Sequence, residues 1–219
     1  MKAFYIYATG AAILMIAGLF ASLFNEKAHF LIWLFGYRHT VADYYFYYIT
    51  KLGETYGFIF FGLLLWMQGW RKMLPVPILG VIVMIVSYLL KQIFQHERPS
   101  IYLEKINWEG AMGVLGYQIL SGYHSFPSGH SMAAWALFTL MAAIVRKTWF
   151  SLLCLFLAVS VSISRVYLMA HFLQDVVAGA MIGFSLGYGV FYFYEKWQNK
   201  YQPKAVTAKS ADGELIQSE

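Results

Sequence analysis

The chain alternates long apolar runs with short polar connections, and this pattern constrains its fold more than any other feature. A helix needs about 20 apolar residues to cross the hydrocarbon core of a bilayer. Only 12% of the residues are charged, which is about half the fraction found in soluble domains. We identify six apolar runs, at residues 3–24, 54–70, 75–95, 129–145, 149–168 and 172–194. The sequence therefore predicts an all-α, six-span transmembrane helical bundle.

Three segments help to define the limits of this bundle. Residues 3–24 form an apolar run longer than that of a typical signal peptide, so we interpret them as an uncleaved first span. The stretch Asp43–Lys51 is dense in tyrosine, which favours the membrane–water interface, and we expect an interfacial helix there. Residues 195–219 are polar and lack periodicity, which predicts a disordered cytoplasmic tail. We thus expect one membrane domain, over residues 1–194.

The distribution of Lys and Arg predicts how the bundle is oriented. With six spans, one side of the membrane carries nine of the 16 Lys and Arg residues. This side holds the N-terminus, the turns at 71–74 and 146–148, and the tail. The other side carries seven, and three of these belong to the motifs described below, which leaves four. Because Lys and Arg are enriched in cytoplasmic loops, the richer side should be cytoplasmic. We expect a multi-pass protein of the cell membrane whose motifs face the periplasm or exterior.

The first motif, at residues 91–99, places two cations at the end of an apolar run. Lys91 and Arg98 are about two helical turns apart, so on a continuous helix they would project from nearly the same face. Pro99 disfavours a helical conformation in Arg98 and predicts the helix end. Arg binds phosphate as a bidentate fork and Lys as a point charge, so the pair suits an anion. The alternative is two cations that extend along apolar surface to the interface.

The second motif, Pro-Ser-Gly-His at residues 127–130, opens the fourth apolar run. Ser128 is a predicted N-cap, and the exposed amides and positive dipole end of a helix start favour a phosphate. Gly129 would let the backbone approach a ligand closely. His130 lies at the same opening, where it could donate a proton. The alternative is an ordinary capped helix start with an interfacial histidine.

The third motif, at residues 164–175, contains His171 and Asp175 at positions i and i+4. Residues with this spacing are neighbours on one face of a helix. The carboxylate can hold one imidazole nitrogen and leave the other free to attack. Arg165 lies upstream, at the end of the preceding run. The alternative is a structural His–Asp pair near a helix start.

In their order and internal spacings, the three motifs resemble the signature of the type 2 phosphatidic acid phosphatase / haloperoxidase superfamily. The matching positions are Lys91, Arg98, Pro99, Pro127, Ser128, Gly129, His130, Ser164, Arg165, His171 and Asp175. The six-span layout is similar to that of the family's integral membrane lipid phosphatases. The resemblance therefore covers residues 1–194 and implies the fold of that membrane branch.

The resemblance also implies a role for each residue. His171 is the expected nucleophile, which forms a phosphohistidine, and Asp175 is expected to orient it. His130 is expected to protonate the leaving oxygen and then to activate water. The residues expected to bind the phosphate are Lys91, Arg98, Ser128, Gly129 and Arg165. No cofactor and no metal are expected, because the cations supply the positive charge.

A site at the membrane edge implies a lipid phosphate substrate with its tail in the bilayer. The candidates are undecaprenyl diphosphate, phosphatidylglycerol phosphate, phosphatidic acid and a lipid A phosphate. Two alternatives remain open at this point: a lipid-to-lipid phosphotransferase of the same superfamily, and a non-catalytic membrane protein that binds an anionic lipid.

The remaining features bear on packing and partners. The cations lie beside apolar runs and form no long basic stretch, so we expect no nucleic-acid partner. A stripe of small residues at four-residue spacing predicts close helix packing within a monomer, with homodimerisation as the alternative; it comprises Gly179, Gly183 and Gly187. Residues 101–126 predict either an amphipathic lid or a folded external loop. His96 and His124 could contact residues of the site without touching the substrate. Cys154 is a predicted packing residue.

Overall fold

The protein is a bundle of α-helices in the computed structural model, which describes residues 2–110 and 120–201. No strand occurs in these two ranges. A 3₁₀ turn, Thr50–Gly53, lies between the third and fourth helices. The helices are α1 (Lys2–Phe24), α2 (His29–Phe35), α3 (Thr40–Ile49), α4 (Thr55–Trp66), α5 (Trp70–Met73), α6 (Pro75–Phe94), α7 (Pro99–Lys105), α8 (Gly129–Val145), α9 (Thr148–Tyr167) and α10 (Leu173–Tyr201).

Helix α8 lies at the centre of the bundle, and every residue from Ser131 to Ala143 is buried. Helices α1, α6, α9 and α10 pack around it. The outer helices instead expose large apolar side chains, among them Ile13, Phe60 and Met84. Because extensive exposed apolar surface is suited to hydrocarbon and not to water, this outer surface faces the bilayer.

The described helices include several that can cross a membrane. In the described ranges, four segments are long and apolar enough, namely Lys2–Phe24, Trp70–Lys105, Thr148–Tyr167 and Leu173–Tyr201. Helices α4 and α8 are apolar but shorter. The prediction of an all-α transmembrane bundle is confirmed, and the count of six spans stays a prediction.

The glycine stripe of α10 lies directly against the backbone of α8. A Cβ atom added to Gly183 would lie 2.2 Å from the carbonyl oxygen of Met132, and one added to Gly187 would lie 2.3 Å from that of Ala136. Only glycine allows this approach, because any other residue would overlap a carbonyl group. The stripe therefore packs two helices of the same chain together, as the sequence predicted.

Two helix boundaries differ from the sequence predictions. Helix α6 ends at Phe94, where Gln95 adopts a left-handed conformation with φ of 44°, so Lys91 and Arg98 do not share one helix. Helix α10 continues to Tyr201, so the prediction that disorder begins at residue 195 is wrong for residues 195–201. Arg146 donates a hydrogen bond to Glu195 and so supports this extension. The rest of the predicted tail, 202–219, lies outside the described residues.

One end of the bundle collects the ends of four helices. The C-termini of α6 and α9 and the N-termini of α8 and α10 meet there, and backbone hydrogen bonds link their connections. Helix α3 and the 3₁₀ turn pack against α9 at this end. All three sequence motifs therefore share one end of the molecule, as predicted.

Of the predicted lid at 101–126, residues 101–105 belong to α7 and residues 111–119 lie outside the described ranges.

Candidate active site

His171 and Asp175 lie close together, but a third residue links them. Both are buried, His171 in the turn before α10 and Asp175 in its first turn. His171 Nδ1 and Asp175 Oδ2 are 3.7 Å apart, which is too long for a direct hydrogen bond. The hydroxyl of Ser125 donates to Asp175 Oδ2 at 2.5 Å and lies 3.4 Å from His171 Nδ1. The predicted pair is present, with two corrections: His171 precedes the helix, and Ser125 connects the two side chains.

This order of hydrogen bonds fixes the tautomer of His171. Because the Ser125 hydroxyl donates to Asp175, it can only accept from His171, and the proton then lies on Nδ1. The lone pair of Nε2 is left free. Burial, together with the nearby positive charges of Arg165 and Arg98, lowers the pKa of the His171 imidazole well below its usual value, although Asp175 opposes this. At neutral pH the side chain is therefore uncharged and nucleophilic.

The loops that carry the second and third motifs are bonded to each other. The amide of Ser128 donates to the carbonyl oxygen of Asp175 at 2.9 Å. Ser128 occupies the N-cap position of α8, but its side chain makes no capping hydrogen bond. Its buried hydroxyl has no hydrogen-bond partner among the described residues. The hydroxyl, and not the amide, is therefore the Ser128 group available to a phosphate.

Two arginines lie near His171. Arg98 donates from Nη1 to the carbonyl oxygen of Ala170 at 3.0 Å. Arg165 is fully buried in the last turn of α9, and its Nη1 donates to Thr50 Oγ1 at 2.8 Å. The Arg165 carbonyl also accepts the amides of Ala170 and His171 at 3.0 and 3.2 Å, which folds the turn onto the end of α9. The backbone thus fixes His171 relative to both guanidinium groups.

Lys91 reaches the same region from the last turn of α6. Its Nζ lies 3.6 Å from the position that a Cβ atom would occupy on Gly129, at the start of α8. A larger residue in place of Gly129 would contact both Ser87 and this ammonium group. The fold therefore brings together Lys91, Arg98 and Arg165, although Lys91 and Arg98 come from different elements. Phosphate binding by these residues stays a prediction.

His130 has an acidic partner that the sequence analysis missed. Glu54 lies immediately before α4, and its Oε1 is 3.1 Å from His130 Nε2. The hydrogen bond to His130, with smaller contributions from Lys51 and Arg165, lowers the pKa of the Glu54 carboxyl, so that it is ionised at neutral pH. No motif spacing links the two residues. The one sequence signal was an acidic residue at the opening of the predicted span 54–70, where a carboxylate is costly without a partner.

An apolar groove extends from this polar centre between α4 and α6. Its volume is about 930 Å³, and its polar end is formed by Glu54, Lys91 and His130. Mostly apolar residues line the rest, down to Val76 near the opposite end of α6. At 1.5 Å per residue, the distance from Lys91 to Val76 is about 22 Å.

His96 and His124, which the sequence suggested as supporting residues of the site, lie at its exposed edge. The ring of His96 packs against Phe94 and Phe126. The ring of His124 is 3.4 Å from the Lys91 carbonyl oxygen through Nδ1. Both residues are exposed, and a role for either in chemistry stays a prediction.

The arrangement combines the parts that phosphoryl transfer needs. An uncharged, buried histidine has a free lone pair, and a second histidine is paired with a carboxylate. Arg98 and Arg165 lie near the first histidine, and Lys91 and Arg165 lie near the second. Such a centre can bind an anionic phosphate, accept its phosphoryl group on a nitrogen, and stabilise the charge of the transition state.

Comparison with known proteins gives a family and several relatives. The model of the PAP2 superfamily matches residues 73–199. A lipid A 4'-phosphatase of Bacteroides thetaiotaomicron is 37% identical over 73 residues, which cover 33% of this chain and 31% of that protein. A lipid A 4'-phosphatase of Porphyromonas gingivalis is 26% identical over 181 residues, which cover 78% of this chain and 74% of that protein. The match thus spans less than a third of the first relative's length and about three quarters of the second's.

A solved structure has the same fold. The crystal structure of a transmembrane PAP2 type phosphatidylglycerolphosphate phosphatase from Bacillus subtilis superimposes with a TM-score of 0.62 and 21% sequence identity. The superposition covers 93% of this chain and 97% of that one. At this identity, the similarity establishes the architecture alone.

Proposed function

The chain belongs to the PAP2 superfamily, and on that premise we propose that it is an integral membrane lipid phosphate phosphatase. Its substrate carries a phosphomonoester or a diphosphate on a lipid, and the reaction passes through a phosphohistidine. The observation that carries this proposal is that Lys91 and His130 lie at the polar end of an apolar groove. A soluble phosphate ester would need the cations but not the groove.

The proposed reaction has two displacement steps. In the first, His171 Nε2 attacks phosphorus, the bond from phosphorus to the lipid oxygen breaks, and His130 gives that oxygen a proton. In the second, His130 takes a proton from water, the water oxygen attacks the phosphohistidine, and inorganic phosphate leaves. The cations Lys91, Arg98 and Arg165 stabilise the charge on the transferring group in both steps. Ser125 and Asp175 hold the Nδ1 proton throughout.

The groove supports a lipid as the leaving group. Its length of about 22 Å exceeds the hydrocarbon of one leaflet, which is about half of the 30 Å core. An acyl or prenyl chain can therefore lie between α4 and α6 while its phosphate reaches His171. Two relatives are lipid A 4'-phosphatases and the structural neighbour is a phosphatidylglycerolphosphate phosphatase. Candidate substrates are undecaprenyl diphosphate, phosphatidylglycerol phosphate, phosphatidic acid and a lipid A phosphate.

Phosphate release by detergent-purified protein tests the proposal. The four candidate lipids are presented in mixed micelles, and inorganic phosphate and lipid products are measured together. We expect release of inorganic phosphate from at least one of them. Transfer of phosphate to a second lipid without release would identify a phosphotransferase instead. Binding of these lipids without turnover would identify a non-catalytic protein.

We expect the activity to survive removal of metals and to be inhibited by vanadate. The three cations supply the positive charge that a metal ion supplies in other phosphatases, so incubation with EDTA should leave the rate within about twofold of the control. Vanadate adopts the trigonal bipyramidal geometry of the transition state and should compete with substrate. Rates are compared after EDTA treatment with and without added Mg²⁺ or Zn²⁺. Loss of activity that either metal restores would contradict the metal-free mechanism.

We expect the site to face the periplasm or exterior, because its side carries fewer Lys and Arg outside the motifs. Cysteine is introduced at Ser121, near the site, or at Thr148, at the start of α9 and the opposite end; both residues are exposed. The buried Cys154 is first replaced by alanine. In intact cells or spheroplasts, an impermeant thiol reagent should label Ser121→Cys, and should label Thr148→Cys only after permeabilisation. The reverse pattern would place the site in the cytoplasm.

A further inference from the structure

The segment that carries Glu54 is held against two elements of the site. Thr50 Oγ1 accepts a hydrogen bond from Arg165 at the end of α9. A Cβ atom added to Gly53 would lie 2.7 Å from the carbonyl oxygen of His130, so this turn also touches the start of α8. Glu54 follows directly and places Oε1 3.1 Å from His130 Nε2. The contact between Glu54 and His130 is therefore built into the packing of the 3₁₀ turn.

The charges around His130 explain why a carboxylate is needed there. The charged groups that act on His130 are Glu54, Arg165 from α9 and Lys91 from α6. A general acid must carry a proton before it can give one to the leaving oxygen. Burial opposes a positive charge on His130 most strongly, both cations oppose it as well, and Glu54 favours it. Glu54 therefore offsets part of the effect that burial and the two cations have on the acid.

We propose that Glu54 is a positioning residue for His130. Its carboxylate directs Nδ1 of His130 toward the reacting oxygens and stabilises the protonated imidazole. This inference rests on the proposed phosphatase function. It assigns a role to a residue outside all three sequence motifs.

The proposal assigns a function to each nitrogen of His130. An ionised carboxylate can only accept hydrogen bonds, so Nε2 carries a proton while Glu54 is bound to it. In the neutral imidazole, Nδ1 then has a lone pair that can take a proton from water. In the protonated imidazole, Nδ1 has a proton that can pass to the leaving oxygen. A single orientation therefore serves both steps, and the ring does not need to rotate.

Two substitutions separate the charge of Glu54 from its hydrogen bond. Glu54→Gln keeps an acceptor for Nε2 but removes the charge, whereas Glu54→Ala removes both. Glu104→Gln, an exposed glutamate on α7, is the matched control. Each variant is assayed with the lipid phosphate that the wild type hydrolyses fastest and with 4-nitrophenyl phosphate. The nitrophenolate leaving group needs no proton, so it bypasses the acid step.

With the lipid phosphate, we expect Glu54→Gln to lower kcat about tenfold or more, with a small change in KM and an optimum at lower pH. With 4-nitrophenyl phosphate, the same variant should lose less than about threefold. Glu54→Ala should be impaired on both substrates, and the control on neither. Unchanged lipid turnover, or equal loss on both substrates in Glu54→Gln, would overturn the inference and leave the phosphatase function standing.

Nitrogen NMR of the selectively labelled wild-type protein provides a measurement that does not depend on turnover. In the neutral state, the shifts of His130 should report a proton on Nε2. A proton on Nδ1 would overturn the inference even if every activity assay behaved as expected. If the wild type hydrolyses no lipid phosphate, the proposed function fails. The NMR measurement would still show whether Glu54 and His130 are paired, because it does not depend on turnover.

Discussion

Replacing His171 with alanine is expected to lower lipid phosphate hydrolysis by about 10⁴-fold or more. The variant removes the nitrogen that we propose attacks phosphorus, and neither water nor a neighbouring side chain can take its place in the buried turn. His171 is 2% exposed, and its backbone amide bonds to the Arg165 carbonyl, a contact that alanine keeps. The fold should therefore survive. Initial rates of phosphate release, with thermal unfolding of the same samples, measure both expectations.

Two controls make the result specific to the nucleophile. His29→Ala changes an exposed histidine at the start of α2 and should retain the wild-type rate. Brief reaction with a lipid carrying labelled phosphate should leave an acid-labile, base-stable label on the wild type and none on His171→Ala. In His130→Ala, loss of the proposed water-activating base should let the label persist if the first step still occurs. Normal turnover by folded His171→Ala protein would exclude His171 as the nucleophile.

The convergence of the three motifs could be predicted because it depends on helix order alone. When successive spans alternate in direction, four span ends fall on the same side of the membrane. They are the end of the third predicted span, the start of the fourth, the end of the fifth and the start of the sixth. Lys91, His130 and Arg165 each lie within about a turn of such an end. Local spacing also indicated that His171 and Asp175 are neighbours, and the structure places them 3.7 Å apart.

The contacts that complete the site could not be predicted from local spacing. Ser125 precedes the second motif but bonds to Asp175, and Glu54 precedes α4 but bonds to His130. Each contact depends on how separate segments pack, and a single sequence carries no periodic signal for such pairs. The assumption that His171 already lies on the helix also concealed Ser125, because a direct pair at i and i+4 leaves no place for a third group.

The helix boundaries that were predicted wrongly depend on similar long-range contacts. Lys91 and Arg98 would share a face on a continuous helix, but a left-handed Gln95 ends α6 and lets Arg98 turn toward Ala170. At the other end, the polar composition after residue 194 suggested disorder. Arg146, from the connection between α8 and α9, binds Glu195 and extends α10 beyond its apolar part. A polar segment can thus remain helical when another part of the chain supplies its partner.

Replacing Gly183 with alanine is expected to lower both stability and activity, although Gly183 contacts none of the proposed catalytic residues. The new Cβ would lie 2.2 Å from the Met132 carbonyl oxygen, and the Met132 Cα and carbonyl carbon are each at 3.0 Å. Backbone atoms cannot move aside as a side chain can, so α8 and α10 must separate. Overpacking of this kind costs about 1–3 kcal/mol. Because α8 carries His130 and α10 carries Asp175, a shift of about 1 Å could lower the rate about 100-fold.

Gly189→Ala is the matched control, because it makes the same substitution on the same helix where nothing lies within 4 Å of the added Cβ. Alanine has the higher helix propensity, so this variant should be neutral or slightly more stable, with the wild-type rate. Thermal unfolding in detergent and phosphate release are measured for both variants. If Gly183→Ala matched Gly189→Ala in both measurements, the contact between α8 and α10 would not set the geometry of the site. If Gly183→Ala were unstable but fully active at low temperature, the contact would support the fold without positioning His130 relative to Asp175.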